Sequence, residues 1–241
     1  MPERIIKDIR YYESNEENIV GKKLPGNLGT LFNTKKEPTY IGQRIARKLN
    51  ELKLVYGEVD HIYINLTTVL NENQIVISER KIDERIRYFD YGVNAVKFNS
   101  LSDHAKNSFI QQLTFKILKH ISGDENLKKV NETEELISKF GTEITIFYKT
   151  KETTAYKINL FYQIKPNNNP SRIVVEYINK KDSSTKQGYF DINFYEDIYS
   201  LVDTISVVGK EIILKPKKSF RANLYSQRYN TPIKFEIENL L

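Results

Sequence analysis

Residues 59–121, VDHIYINLTTVLNENQIVISERKIDERIRYFDYGVNAVKFNSLSDHAKNSFIQQLTFKILKHI, decide the fold class. Apolar side chains recur at every second position through Ile62, Ile64 and Leu66, which is the spacing of a half-buried strand. Asn71-Glu72-Asn73 supplies a turn, because short polar side chains bond nearby backbone there. Ile75-Val76-Ile77 begins a second strand, and residues 85–93, RIRYFDYGV, form a third that mixes both faces. The period then changes. Ala105, Phe109, Leu113, Ile117 and Ile121 repeat every four residues, with Ile110 and Leu118 widening the stripe. A long amphipathic helix is therefore expected from a cap at Ser102 or Asp103 to a stop at Gly123.

Working outward, residues 1–39 show little periodicity, and GKKLPGNLGTLFNTKKEPT reads as a long loop or arm. Thr39 is placed to cap a helix over 40–53, with Ile41, Ile45, Leu49 and Leu52 on one face and Arg44, Arg47, Lys48 and Glu51 on the other. Beyond the long helix, a short one is expected around 132–140, ended by Gly141. Strands are expected at 143–149, 156–164, 172–178, 189–194 and 211–214, and Ile233, Phe235 and Ile237 alternate as a last one. The spacing of Ile198, Leu201, Val202 and Ile205 predicts a helix over 195–207. The expected fold class is α+β, with a mixed or antiparallel sheet, a long helix after the first strands and a strand-rich C-terminal half. Residues 1–122 would form an N-terminal arm and α+β region and 123–241 a strand-rich α+β region, as two subdomains or one continuous domain.

The composition is that of a globular protein: of 241 residues, 39% are hydrophobic and 28% charged, with 16 Tyr and 12 Phe. The absence of cysteine excludes disulfides, thiolate zinc sites and cysteine nucleophiles, and fits a reducing compartment. The first residues, MPERIIKDIRYYESNEEN, lack the apolar core of a secretory signal, and no run is long enough to cross a bilayer. A cytoplasmic protein with no membrane partner is expected. The net charge of +6 has one local source, residues 210–241, where seven Lys or Arg face three Asp or Glu.

Few groups are spaced for catalysis. His104 and His120 lie on one helix about 24 Å apart and cannot share a metal, and His61 has no partner spaced for one. No serine stands in a glycine-flanked elbow. Residues 21–28, GKKLPGNL, echo a phosphate loop, but Asn27 and Leu28 stand where lysine and hydroxyl belong. The pairs Glu134-Glu135 and Glu196-Asp197 are sequence neighbours, which do not face each other on a helix. No catalytic group, metal or cofactor is expected, although a metal-dependent enzyme with dispersed carboxylates stays open as an alternative.

Two clusters suit binding. Asp60, Tyr63, Arg80, Arg85, Arg87, Tyr88, Asp90 and Tyr91 form either internal salt bridges and sheet-face pairs or a partner-binding surface, since Tyr and Arg serve as interface anchors. Lys215, Lys217, Lys218, Phe220, Arg221, Tyr225, Arg228 and Tyr229 interleave cations with rings that stack on bases, the pattern of a nucleic-acid-binding segment. A loop of solvated lysines is the competing reading of that segment.

The segments Asp60-His61-Ile62-Tyr63-Ile64-Asn65-Leu66-Thr67-Thr68, Arg87-Tyr88-Phe89-Asp90-Tyr91-Gly92-Val93 and Phe98-Asn99 resemble those of bacterial immunity proteins of polymorphic-toxin systems. The resemblance implies a non-enzymatic cytosolic protein whose partner is a cognate protein toxin, blocked by occlusion of its active site. The basic balance departs from the acidic one of immunity proteins directed at nucleases, and so points away from a nuclease target. The alternative to a toxin partner is a nucleic acid bound by the basic C-terminal segment.

Overall fold

The computed structural model describes residues 3–15, 24–166 and 169–241. The chain is α+β and divides into two units, Met1–Gly141 and Thr142–Leu241.

The first unit holds strands β1 (Asp8–Ser14) and β2 (Gly26–Asn27), helix α1 (Glu37–Glu51), strands β3 (His61–Thr67), β4 (Ile75–Ile77) and β5 (Ile86–Gly92), and helices α2 (Ala95–Asn99), α3 (Asp103–Ile121) and α4 (Asp124–Phe140). Its mixed sheet has the order β2-β1-β3-β5-β4. The three central strands run parallel, and the two edges are antiparallel to their neighbours. β1 falls inside the segment expected to be an irregular arm. Its inward-facing set, Ile9, Tyr11 and Glu13, mixes apolar, aromatic and charged residues, so local periodicity is weak. The strand is specified by full-length pairing with β3, a contact distant in sequence.

Ile9 and Tyr11 of β1, Ile62, Ile64 and Leu66 of β3, and Phe89 and Tyr91 of β5 form the buried apolar face of the sheet. α1 packs on β1, and α1, α3 and α4 pack on one another. Tyr11 Oη shares a 2.8 Å hydrogen bond with Thr114 Oγ1 of α3, and the Tyr91 ring lies 6.4 Å from that of Phe109. Ile110, Leu113, Ile117 and Leu118 are buried on the expected stripe of α3. Ser102 caps that helix, accepting from the Ala105 N–H at 3.3 Å.

Helix ends differ from expectation in two places. α1 begins at Glu37 with Pro38 in its first turn, so Thr39 is inside the helix and no side chain caps it. Proline suits that position because its fixed φ is helical and the missing N–H would be unbonded anyway. Gly123, expected only as a stop, is also the N-cap of α4, which starts at Asp124 and is longer than the helix expected over 132–140. Asp124 and Glu125 in its first turn complement the positive end of the helix dipole.

In the second unit, β6 (Ile146–Glu152), β7 (Tyr156–Gln163), β8 (Ser171–Asn179) and β9 (Thr185–Ile192) form an antiparallel meander. α5 (Ile198–Leu201) follows. β10 (Thr204–Val208), β11 (Glu211–Lys215), α6 (Phe220–Ser226) and β12 (Ile233–Glu236) complete the unit, with the antiparallel sheet order β10-β11-β12. The helix expected over 195–207 is thus a 3-10 turn, Tyr195–Asp197, and the single turn of α5. Ile205 and Val207 instead pair with Leu214 and Ile212 across a hairpin that Gly209 closes at a φ of +59°. The spacing of Ile198, Leu201, Val202 and Ile205 fits a helix. The β-branched run Ile205, Val207 and Val208 before a turn glycine is the stronger strand signal. Lys149 and Lys151 of β6 donate to the carbonyls of Asp203 and Ile205, so side chains link the two sheets. No helix among the described residues is long and apolar enough to cross a membrane.

Gly42 sets how closely α1 approaches the sheet, because a Cβ there would lie 2.4 Å from the Ile9 carbonyl oxygen. Gly42→Ala is expected to lower stability by about 1–3 kcal/mol through forced separation of helix and strand, read as a lower urea midpoint. An unchanged midpoint would mean that the contact yields freely.

Candidate functional site

Pairing across β1, β3 and β5 sets polar residues in rows: Asp8–His61–Ile86, Arg10–Tyr63–Tyr88, Tyr12–Asn65–Asp90 and Ser14–Thr67–Gly92. Alternate residues of a strand point to opposite faces, so these rows share the face turned away from α1 and α3. Parallel strands covered by helices on both sides carry near-continuous apolar runs. Here each strand alternates instead, and one face is polar and aromatic.

A carboxylate anchors one end of this face. Asp60 immediately precedes β3 and its side chain is 0% exposed. Arg85 Nη2 reaches Oδ2 at 2.9 Å and its Nε reaches Oδ1 at 3.2 Å. Lys7 Nζ donates to Oδ2 at 3.1 Å, His61 Nδ1 lies 2.5 Å from Oδ1, and Arg4 Nη1 is 3.9 Å from Oδ2. Burial pushes the Asp60 carboxyl up, but hydrogen bonds from Arg85, His61 and Lys7 outweigh it and hold the group well below the usual carboxylate range.

A second network crosses the strands at their other end. Asn65 is fully buried and donates to Ser14 Oγ of β1 at 2.8 Å and to Asp90 Oδ1 of β5 at 2.7 Å. Arg80 Nη1 bonds both Asp90 oxygens, at 2.6 and 2.9 Å, and Ser78 Oγ at 2.8 Å. The Arg80 side chain is only 3% exposed, so this ion pair is an internal tie. Asn65 Oδ1 has no hydrogen-bond partner among the described residues.

Between the two networks lie three tyrosine rings. Tyr63 stands 5.2 Å from both Tyr12 and Tyr88, and Tyr12 is 5.7 Å from Tyr88. Burial raises the Tyr63 hydroxyl and, helped by the neighbouring tyrosines, pushes Tyr88 up to about 12. Both stay protonated at neutral pH. Arg10 lies 5.5 Å above the Tyr63 ring, with Nε 2.5 Å from Asp8 Oδ2, and its side chain is 55% exposed. Gln43 of α1 donates to the other Asp8 oxygen at 2.6 Å.

Six of the eight sequence-selected residues therefore belong to this assembly: Asp60 with Arg85, Tyr63 with Tyr88, and Arg80 with Asp90. Tyr91 is on the opposite face, buried under α3, with its hydroxyl donating to Asn73 Oδ1 at 2.7 Å. Arg87 pairs in register with Ile62, off the tyrosine face, and lines a cleft of about 480 Å³ with Glu58, Ser78 and Ile86. Arg10, Tyr12, Ser14 and Asn65 also belong to the assembly, and the sequence pattern does not single them out. The first three sit on the unexpected strand, and Asn65 reads as one polar residue among apolar ones. Ile9 and Tyr11, two apart in DIRYYES, are the one local sign of that strand, and a weak one.

The phosphate-loop echo has a different use. Its residues 21–23 lie outside the described residues. Gly26 and Asn27 form β2, and the turn that follows wraps a carboxylate of the protein itself: Gly29, Thr30, Leu31 and Phe32 N–H groups donate to Glu13 at 2.8–3.2 Å. Among the described residues no three His, Asp or Glu side chains converge as metal ligands would.

In the second unit, Lys215 ends β11, and Ser219 caps α6 by accepting from the Ala222 N–H at 3.2 Å. Lys215, Lys217, Lys218, Phe220, Arg221 and Arg228 are exposed. The guanidiniums of Arg221 and Arg228 lie over the Tyr225 ring, 5.7 and 5.3 Å from its centre. Tyr229 is tied inward, accepting from the Asn193 N–H and donating to Asp197.

No family model, curated protein or solved structure matches this chain.

A carboxyl held lower in the folded state than its unfolded value of about 3.9 adds stability above that pH and loses it as the pH falls toward the folded value. Stability should therefore drop from about pH 4 downward, with a shallower slope in Asp60→Asn. Urea unfolding at a series of pH values checks this, and equal acid slopes in the two proteins would contradict it.

Proposed function

We propose that this chain is a non-enzymatic cytoplasmic binding protein that neutralises a cognate bacterial toxin by covering the toxin's active site. The observation that carries the reading is the rigid polar face of the first unit's sheet. Tyr and Arg are the side chains that anchor interfaces, and Arg10 and Tyr12 bring them to the surface, with His61 beside them, over a floor of Tyr63 and Tyr88. The ion networks at both ends fix that floor, so little ordering cost remains at the moment of binding. The segments that resemble immunity proteins supply β3 and β5, the middle of this face.

Charge adds a preference. With the internal Arg80–Asp90 pair set aside, Arg4, Lys7, Arg10 and Arg85 outnumber Asp8 and Asp60 along the face, so an acidic toxin surface is the complementary one.

On this reading a large modular toxin is encoded directly upstream. Its toxic domain, expressed in a bacterial host, should arrest growth, and co-expression of this chain should restore it. Arg10→Ala combined with Tyr12→Ala should abolish the rescue while the purified variant still unfolds in one cooperative transition. Rescue that survives the double substitution would overturn the assignment of the face. Absence of rescue by the natural chain would overturn the toxin reading itself.

A further inference from the structure

The basic segment after β11 belongs to the second unit and takes no part in the proposed occlusion face. Its backbone is fixed at both ends. The Lys217 N–H donates to the Ser200 carbonyl at 3.0 Å, and Tyr229 is held by Asn193 and Asp197. Between these ties, α6 buries Ala222 and Ser226 against the unit. The residues it leaves outside include two large apolar side chains and a cation. Phe220 is 81% exposed and Leu224 49% exposed, one helical turn apart. Arg221 and Arg228 each lie over the Tyr225 ring, 5.7 and 5.3 Å from its centre, so one half-buried ring holds two guanidiniums near each other at the surface.

Five exposed cations, Lys215, Lys217, Lys218, Arg221 and Arg228, fall within eight residues of Phe220 along the chain. Among the described residues none of them forms an ion pair. Other surface cations of the unit do: Lys210 with Glu238, Lys234 with Glu211 and Arg172 with Asp191. The unneutralised charge is thus concentrated where an aromatic ring stands in solvent.

We propose that this surface binds single-stranded nucleic acid, with a base stacked on Phe220 and backbone phosphates held by Lys217, Lys218, Arg221 and Arg228. A protruding ring beside separate cations matches a ligand that repeats a planar base and a phosphate. A duplex keeps its bases stacked and offers the ring no such face. An anionic membrane would engage the same cations, but a seven-residue helix with two exposed apolar side chains gives little area to bury among lipids. An acidic peptide would neutralise the cations and leave Phe220 without a planar partner. The proposal is independent of the toxin reading, since its residues lie in the other unit.

The test uses the whole chain and the fluorescence anisotropy of a labelled oligothymidylate and oligouridylate of about 20 nucleotides, titrated between about 50 and 200 mM salt. The expected result is binding that weakens steeply with salt, with a log–log slope near −3 for four phosphate contacts. Lys217→Ala with Lys218→Ala should flatten that slope by about 1.4. Phe220→Ala, at a position that is 81% exposed, should weaken binding about tenfold and leave the slope unchanged. Four results would overturn the proposal: no binding at the lowest salt, a slope unaffected by the lysine substitutions, full affinity in Phe220→Ala, or equal affinity for a duplex of the same length. Phe220-dependent binding to phosphatidylglycerol vesicles with no binding to either oligonucleotide would assign the surface to lipid instead.

Discussion

A carboxylate taken out of water has to be matched by charge, and Asp60 is matched from several directions at once. Its side chain draws in Arg4 and Lys7 from the segment entering β1, His61 from β3 and Arg85 from the segment entering β5. Its backbone repeats the tie. The Asp60 carbonyl accepts from Lys7 and Asp8, and the Asp60 and His61 N–H groups donate to the Arg85 carbonyl. The three parallel strands therefore start from one point. Because side chains alternate along a strand, a shift of one residue in any of them would exchange its apolar and polar sets. The Asp60 assembly works against that shift, and the rest of the first unit follows from the register it holds.

One consequence is the division of the sheet into two unlike faces. Ile9, Ile62, Ile64, Leu66 and Phe89 are turned to the helices, and Gly42 lets α1 come close. Arg10, Tyr12, Tyr63, Tyr88 and Asp90 are left on the other side in matched rows. At the far end of the strands, Asn65, Asp90 and Arg80 close the assembly with a second buried network. A face tied at both ends and floored by packed rings is a platform, and platforms suit recognition of another surface. The second unit solves a different problem. Its antiparallel sheets are joined through Lys149 and Lys151, and α6 carries the local excess of positive charge.

Much of this was legible in the sequence, where the physics is local. The four-residue repeat of α3, the alternation of β3 and the turn signals of the C-terminal half each depend on neighbours in the chain. What was not legible depended on distant partners. β1 exists because β3 pairs with it, and DIRYYES gives little apolar contrast to announce that. Arg44 and Lys48, expected on an open helix face, are buried. At 195–207 two periodicities overlapped, and the hairpin prevailed over the helix. In the candidate site, residue types were readable but roles were not: nothing local distinguishes Asp60, a buried hub, from Asp83, which is exposed. Tyr88 and Tyr91 have similar surroundings in sequence, yet alternation sends them to opposite faces.

Native-state hydrogen exchange on Asp60→Asn, compared with the natural chain at neutral pH, tests the role of this carboxylate most directly. If Asp60 holds the three parallel strands in register, amides of β1, β3 and β5 should lose protection together in the variant, while those of β7 and β8 keep theirs. Unchanged protection across β1, β3 and β5 would show that the sheet holds its register without the carboxylate, and would contradict the account.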